Sequence, residues 1–244
     1  MTYCVGLKLN RGLVMAADTR TNAGLDNIAT FRKLHTWEVR GERVFILLSA
    51  GNLAVTQAVI ADLDEAMKSA VSPDGEATLM SVLSMYQAAK LVGRTLKNVR
   101  KSHSDEGLSG DAFSAQFIFG GQVGQEEPRL FHIYSEGNFI EAKSDTPFFQ
   151  IGEHKYGKPI LDRVVGRDMR LGEAAKVVLL SFDSTLRSNL SVGMPIDLVV
   201  YNKDTLAIDR VRRIEKNDPY FSKLSATWSE QLRKAVEKIE EFDI

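Results

Sequence analysis

Over the first fifty positions the apolar residues come in short extended runs divided by polar turns. Residues 3–9 alternate loosely, Asn10-Arg11-Gly12 is a tight polar turn, and residues 13–17 run apolar into Asp18. Two such runs about a short turn predict a β-hairpin. Residues 33–40 and 44–50 predict a second pair, divided by Gly41-Glu42. In this pair Val44-Phe45-Ile46-Leu47-Leu48 is apolar at every position, which suits a strand covered on both faces.

After Gly51 the apolar spacing lengthens to three and four residues. Val55, Val59, Leu63, Ala66, Met67 and Ala70 fall on one helical face until Ser72-Pro73-Asp74-Gly75 interrupts it. A second helix is predicted from Thr78 to about Val99. Its stripe is Leu79, Val82, Leu83, Tyr86 and Ala89, while Met80, Met85, Leu91 and Val92 lie off it, so apolar residues occupy both its sides. Residues 102–111 read as a loop. Strands follow at 113–119, 129–134, 139–142 and 148–151, helices at 158–165 and 170–189, and strands at 196–201 and 206–214. A last helix is expected from about Ala226, with Trp228, Leu232, Val236, Ile239 and Phe242 on one stripe. Hairpins dominate the strand connections and no linker or repeat divides the chain. The pattern therefore predicts an α+β fold of antiparallel sheets covered by helix pairs, in a single domain spanning 1–244.

Composition narrows the function classes. The 244 residues carry 31 Lys plus Arg and 32 Asp plus Glu, a formal charge of −1, and this balance argues against a nucleic-acid binder. The lone Cys4 excludes an internal disulfide and any cysteine-rich metal site, and it suits a reducing compartment. No run approaches the roughly 18 apolar residues needed to span a bilayer, and the opening residues do not read as a signal peptide. A cytoplasmic protein with no membrane partner is expected.

Several chemistries lack their motifs. There is no Gly-x-Gly-x-x-Gly, no phosphate-binding Gly-x-x-x-x-Gly-Lys-Ser/Thr and no Gly-x-Ser-x-Gly. His35, His103, His132 and His154 are scattered, so structural roles are expected for them, and neither a metal nor a cofactor is. The sequon Asn189-Leu190-Ser191 reads as incidental. The cluster Arg210, Arg212, Arg213 reads as a solvated face or a subunit contact.

The chain's opening residues carry more. Thr2 directly follows Met1, and a small second residue favours removal of the initiator methionine. A terminal threonine holds a hydroxyl beside its own potential base. The unperturbed α-amine has a pKa of about 7.7–8.0, so part of it is neutral near physiological pH. A nearby lysine cation enlarges that neutral fraction, and a carboxylate holds the lysine charged and in place. Asp18 and Lys33 are candidates for those two roles.

Taken together, Thr2, the stretch Gly12-Leu13-Val14-Met15-Ala16-Ala17-Asp18-Thr19-Arg20, Lys33 and Ser49-Ala50-Gly51 resemble the catalytic half of a proteasome β-type subunit, an N-terminal nucleophile hydrolase. Two further stretches make the whole chain similar to the bacterial proteasome-homologue branch called Anbu. They are Ile151-Gly152-Glu153-His154-Lys155-Tyr156-Gly157-Lys158 and Asp183-Ser184-Thr185-Leu186-Arg187-Ser188-Asn189-Leu190-Ser191-Val192-Gly193. The resemblance implies a four-layer αββα sandwich of two antiparallel sheets between helix layers. By motif, Thr2 maps to the nucleophile, Asp18 to the acidic partner, Lys33 to the tuning lysine and the Gly51 N–H to the oxyanion donor. Asn22 and Ser49 map to substrate-binding positions, Ser49 near the floor of the pocket for the residue preceding the cut, and Ser191 maps to a supporting position.

The resemblance has departures. Arg32 sits beside Lys33, and adjacent side chains of an extended strand point to opposite faces, so only one of them reaches Thr2; Lys33 is the expected one. Active β subunits carry a serine where Glu153 stands and an aspartate where Ser188 stands, which alters the hydrogen bonds around the terminal amine. No propeptide separates Met1 from Thr2, so maturation is expected to need methionine removal alone. The implied function is a threonine-type endopeptidase acting on peptide or protein substrates within a homo-oligomeric ring or open helical turn. Alternatives are an amidase acting on a small or modified peptide and a catalytically silent ring scaffold. Whether an ATPase docks is left open.

Overall fold

The computed structural model describes residues 2–22, 28–68, 77–105, 113–209 and 211–243. The chain opens with the expected hairpin of β1 (Tyr3–Leu9) and β2 (Gly12–Asp18), in register from Leu9 opposite Gly12 to Cys4 opposite Ala17. A short hairpin of β3 (Arg20–Asn22) and β4 (Ile28–Thr30) follows, where the sequence showed no strand signal. Next come β5 (Leu34–Val39), β6 (Arg43–Gly51), α1 (Leu53–Lys68) and α2 (Met85–Asp105). Then follow β7 (Ala115–Val123), β8 (Arg129–Ile133), β9 (Phe139–Glu141) and β10 (Phe148–Gly152). The chain continues through α3 (Lys158–Val164), α4 (Leu171–Ser188), β11 (Ile196–Asn202), β12 (Val211–Ile214) and α5 (Pro219–Glu237).

Two antiparallel five-stranded sheets result, ordered β10-β1-β2-β11-β12 and β5-β6-β7-β8-β9. Side chains alternate across each strand, and that alternation builds the layers. Cys4, Leu13, Met15 and Ala17 of the first sheet meet Leu34, Ile46, Leu48 and Ile118 of the second in the core between them. Tyr3, Val5, Leu7 and Ala16 face outward onto Ala174, Val178 and Phe182 of α4. Phe45, Leu47, Phe117 and Phe119 face outward onto Val59 and Leu63 of α1 and Val92 and Leu96 of α2. This is the αββα sandwich, and it explains why Val44 to Leu48 is apolar throughout: β6 lies between two apolar layers.

Several element bounds differ from the sequence reading: α2 runs on to Asp105, through residues expected as loop, and β7 runs from Ala115 to Val123 where 113–119 was expected. The second helix starts at Met85, not Thr78, because residues 78–82 close a turn in which the Ser81 and Val82 N–H groups donate to the Thr78 carbonyl. Leu79 and Val82 are still buried, whereas Leu83 and Tyr86 are exposed. The strand expected at 206–214 is only β12, since it pairs with β11 from Val211 opposite Val199 to Ile214 opposite Ile196, and Asp204 and Leu206 take positive φ before it. The last helix starts seven residues earlier than expected. Asp218 caps it by accepting from the Phe221 N–H at 2.9 Å, and Pro219 occupies a first-turn position where no N–H is needed. The interruption at residues 72–75, Ala70 of the first helical stripe, the loop from 106 and Arg210 lie outside the described residues. Among those described, no helix is long and apolar enough to cross a membrane.

Candidate active site

The hairpin of β1 and β2 brings the start of the chain beside Asp18. Tyr3 donates its N–H to Asp18 Oδ1 at 3.0 Å. Lys33 Nζ donates to the same oxygen at 2.7 Å, and Gly193 donates its N–H to Oδ2 at 3.1 Å. Lys33 Nζ is also held by the Arg20 carbonyl at 2.6 Å, while the Lys33 carbonyl accepts from the Ser49 N–H at 2.9 Å. Both charged side chains are buried, Asp18 completely. Burial pushes the Asp18 carboxyl above the ordinary range, and the Lys33 ammonium and the N–H groups of Tyr3 and Gly193 pull it back. Arg32 is exposed, so of the two adjacent cations it is Lys33 that meets Asp18.

Lys33 opens onto a cavity of about 330 Å³ lined also by Thr2, Thr21, Ser49, Ala50, Gly51, Leu53, Thr56 and Gly152. Thr2, Lys33, Ser49 and Gly51 are thus gathered about one space by three separate segments. Thr21, Leu53 and Thr56 were missed by the sequence reading. The last two lie on the first turn of α1, directly after Gly51, so their place followed from the helix start. Two glycines let the backbone close in. Gly51 has φ +112°, and a Cβ there would stand 2.3 Å from the Ser114 carbonyl oxygen. Gly152 has φ +80°, and a Cβ there would stand 2.0 Å from the Thr2 carbonyl oxygen. Neither position accepts a side chain without displacing backbone.

A second buried carboxylate belongs to the residue whose backbone pairs with Thr2. Glu153 donates its N–H to the Thr2 carbonyl at 2.6 Å. Its side chain is buried and accepts from Asn189 Nδ2 at 2.9 Å and from the Lys155 N–H at 3.2 Å. Asn189, just after α4, accepts the Ser191 N–H at 2.9 Å. Ser191 is therefore tied into this network through its backbone. The sequence marked Glu153 only as a departure, because its link to Asn189 joins positions 36 residues apart.

The remaining candidates sit elsewhere. Asn22 ends β3, and its side chain and Met1 lie outside the described residues. Cys4 is buried between the sheets and donates to the Ser49 carbonyl at 3.5 Å; burial pushes its thiol far up, which removes it as a thiolate. Arg32 lines a larger cavity of about 450 Å³ with His35, Trp37, Asp64 and the bidentate Arg213–Asp197 pair, and Thr2 is not among its walls. Arg212 approaches Asp218 to 3.5 Å.

The profile described as proteasome subunit matches residues 2–201. Among solved structures, Anbu from Hyphomicrobium sp. strain MC1 is similar at 59% identity over 100% of both chains, with a TM-score of 0.91. Anbu (ancestral β-subunit) from Yersinia bercovieri is 46% identical over 100% of this chain and 99% of its own, with a TM-score of 0.93. The helical assembly of the Anbu complex from Pseudomonas aeruginosa is 45% identical over 99% of this chain and 98% of its own, again with a TM-score of 0.93. None of the curated proteins matches.

Proposed function

This chain belongs to the proteasome subunit family, with Anbu proteins as its relatives there, and we propose on that premise that it is a threonine-type peptidase whose nucleophile is Thr2 once Met1 has been removed. The observation that carries the reading is the buried Asp18–Lys33 pair on the wall of a cavity that Thr2 and Gly51 share.

In this mechanism the freed α-amine of Thr2 takes the hydroxyl proton as Oγ attacks the substrate carbonyl. Lys33, held in place by Asp18, stabilises the developing negative charge at Oγ. The Gly51 N–H receives the oxyanion, and the absence of a side chain there lets the carbonyl come close. Collapse passes that proton from the α-ammonium to the departing nitrogen, releases the amine half of the substrate and leaves an acyl ester on Oγ. Water then attacks the ester with the Thr2 amine as its base, releasing the acid and restoring the hydroxyl. Ser49 on the cavity wall is small enough to leave room for the side chain preceding the cut, and Asn22 contributes to holding the substrate strand. The active form is a homo-oligomer, in line with the helical assembly solved for the Pseudomonas aeruginosa relative.

Turnover of casein compared with turnover of short peptide amides tests this reading. A peptidase cleaves casein at a rate abolished by Thr2→Ala. Cleavage of short amides alone identifies an amidase acting on small or modified peptides. An assembly that cleaves neither, with Thr2→Ala indistinguishable from the parent, identifies a scaffold.

A further inference from the structure

We infer that Glu153 is a positioning carboxylate for the Thr2 α-amine: it anchors the ammonium at the start of β1 and raises the pH at which that amine becomes a free base. The inference rests on the reading of Thr2 as the terminal residue of the mature chain.

The register places the two residues together. Tyr3 lies opposite Gly152, and the ladder runs one step further, with the Glu153 N–H on the Thr2 carbonyl at 2.6 Å. Opposed residues of an antiparallel pair have Cβ atoms about 5 Å apart. Gly152, at φ +80°, turns the chain at this point and sends the Glu153 side chain toward Asn189 at the end of α4.

The charge inventory then assigns the partner. The Glu153 carboxylate is 8% exposed, and its two acceptor bonds come from neutral donors, the Asn189 amide and the Lys155 N–H. Among the described residues no cation pairs with it. Asp18, by contrast, already holds Lys33 at 2.7 Å. One short stretch of chain braces both carboxylates, since Asn189 bonds Glu153 and Gly193 bonds Asp18. A buried carboxylate with only neutral partners is poorly compensated and favours a cation beside it. The Thr2 ammonium is the cation that methionine removal creates next to it.

The groups around that amine are Asp18 from β2, Lys33 from the segment before β5, Glu153 after β10 with exposed His154 beyond it, and Arg20 of β3, whose guanidinium is turned to the Leu190 carbonyl. Asp18 and Lys33 together carry no net charge. Glu153 is the uncompensated one, so removing its charge lowers the pKa of the amine whatever the balance of the other two.

The test uses full-length protein released from an N-terminal fusion so that Thr2 is its first residue. Trace acetylation with acetic anhydride from pH 5 to 10, read on the N-terminal peptide by mass spectrometry, titrates the α-amine. Glu153→Gln keeps the side chain's size and one of its two acceptor bonds and loses the charge, and its midpoint is expected about one pH unit below the parent's. Glu153→Asp keeps the charge and is expected to hold the midpoint within about half a unit of the parent's. Coincident midpoints for the parent and Glu153→Gln overturn the inference, as does a Glu153→Asp midpoint that falls with that of Glu153→Gln. Acetylation requires no turnover, so a shifted midpoint in a protein without peptidase activity defeats the functional reading and leaves this one standing. An active peptidase with an unmoved midpoint does the reverse.

Discussion

Lys33 Nζ lies 2.7 Å from Asp18 Oδ1, and both side chains are buried, Asp18 completely. Removing one member of such a pair strands the other as a buried charge, at about 3–5 kcal/mol. Lys33→Met and Asp18→Asn are each expected to lose stability on that scale in urea denaturation. The double variant is expected to lose clearly less than the two single losses added together, because neither charge is left stranded. Additive losses would show that the pair is uncoupled.

Gly152→Ala forces a Cβ against the Thr2 carbonyl oxygen, at a backbone φ that already disfavours a side chain. The strain alone costs about 1–3 kcal/mol. Relieving the contact must move Thr2, so the variant is expected to lose at least 10²-fold in peptide hydrolysis while remaining folded. Circular dichroism with a rate assay checks both. Activity within a factor of three of the parent's would mean that the position of Thr2 tolerates the shift.

Much of this was legible in the sequence, for reasons that differ by residue. Asp18, which closes β2, and Lys33, just before β5, were marked by the motif resemblance; the alternation required only that one of Arg32 and Lys33 face Thr2. The core strand at Val44–Leu48 was readable because burial on two sides leaves no polar position. The hairpin of β3 and β4 was not, since strands of three residues are too short to show a period. The start of α5 was missed although Phe221 and Leu224, which pack on the core under α4, already begin its apolar stripe. Asp218 and Pro219 were the overlooked signal. The link from Glu153 to Asn189 is a tertiary contact, and no local pattern encodes it.

Stability is expected to fall on acidification from near neutral pH. Burial lowers the pKa of both His35 and His132, and His35 Nε2 has no hydrogen-bond partner among the described residues. In the unfolded chain both histidines take up protons as the pH drops past about 6.5, while the folded state resists. The unfolded state then binds more protons, so stability is full above that pH and declines below it. Glu141, held below its usual range by Arg129, adds a second loss further down. The melting temperature should be level from pH 8 to 7 and fall by pH 5.5, with a shallower fall in His132→Asn. A level profile down to pH 5.5 would contradict this.

Val236, Ile239 and Phe242 are 69%, 70% and 89% exposed, so the stripe expected at the end of the chain is not core of this subunit. Coverage by a second copy is expected in the proposed homo-oligomer. Val236→Glu combined with Ile239→Glu is expected to shift sedimentation from the assembly toward the free subunit, with unchanged far-ultraviolet circular dichroism. An unaltered assembly would place the subunit contacts on other surfaces.

Thr2 is the proposed nucleophile, and intact mass before and after a peptide epoxyketone is the direct test of that role. That electrophile needs a free amine and a hydroxyl on one residue to close its ring adduct. The expected product is a chain lacking Met1 that gains one adduct per subunit, with no adduct in Thr2→Ala. A chain that lacks Met1 and gains no adduct, or an adduct that persists in Thr2→Ala, would contradict it.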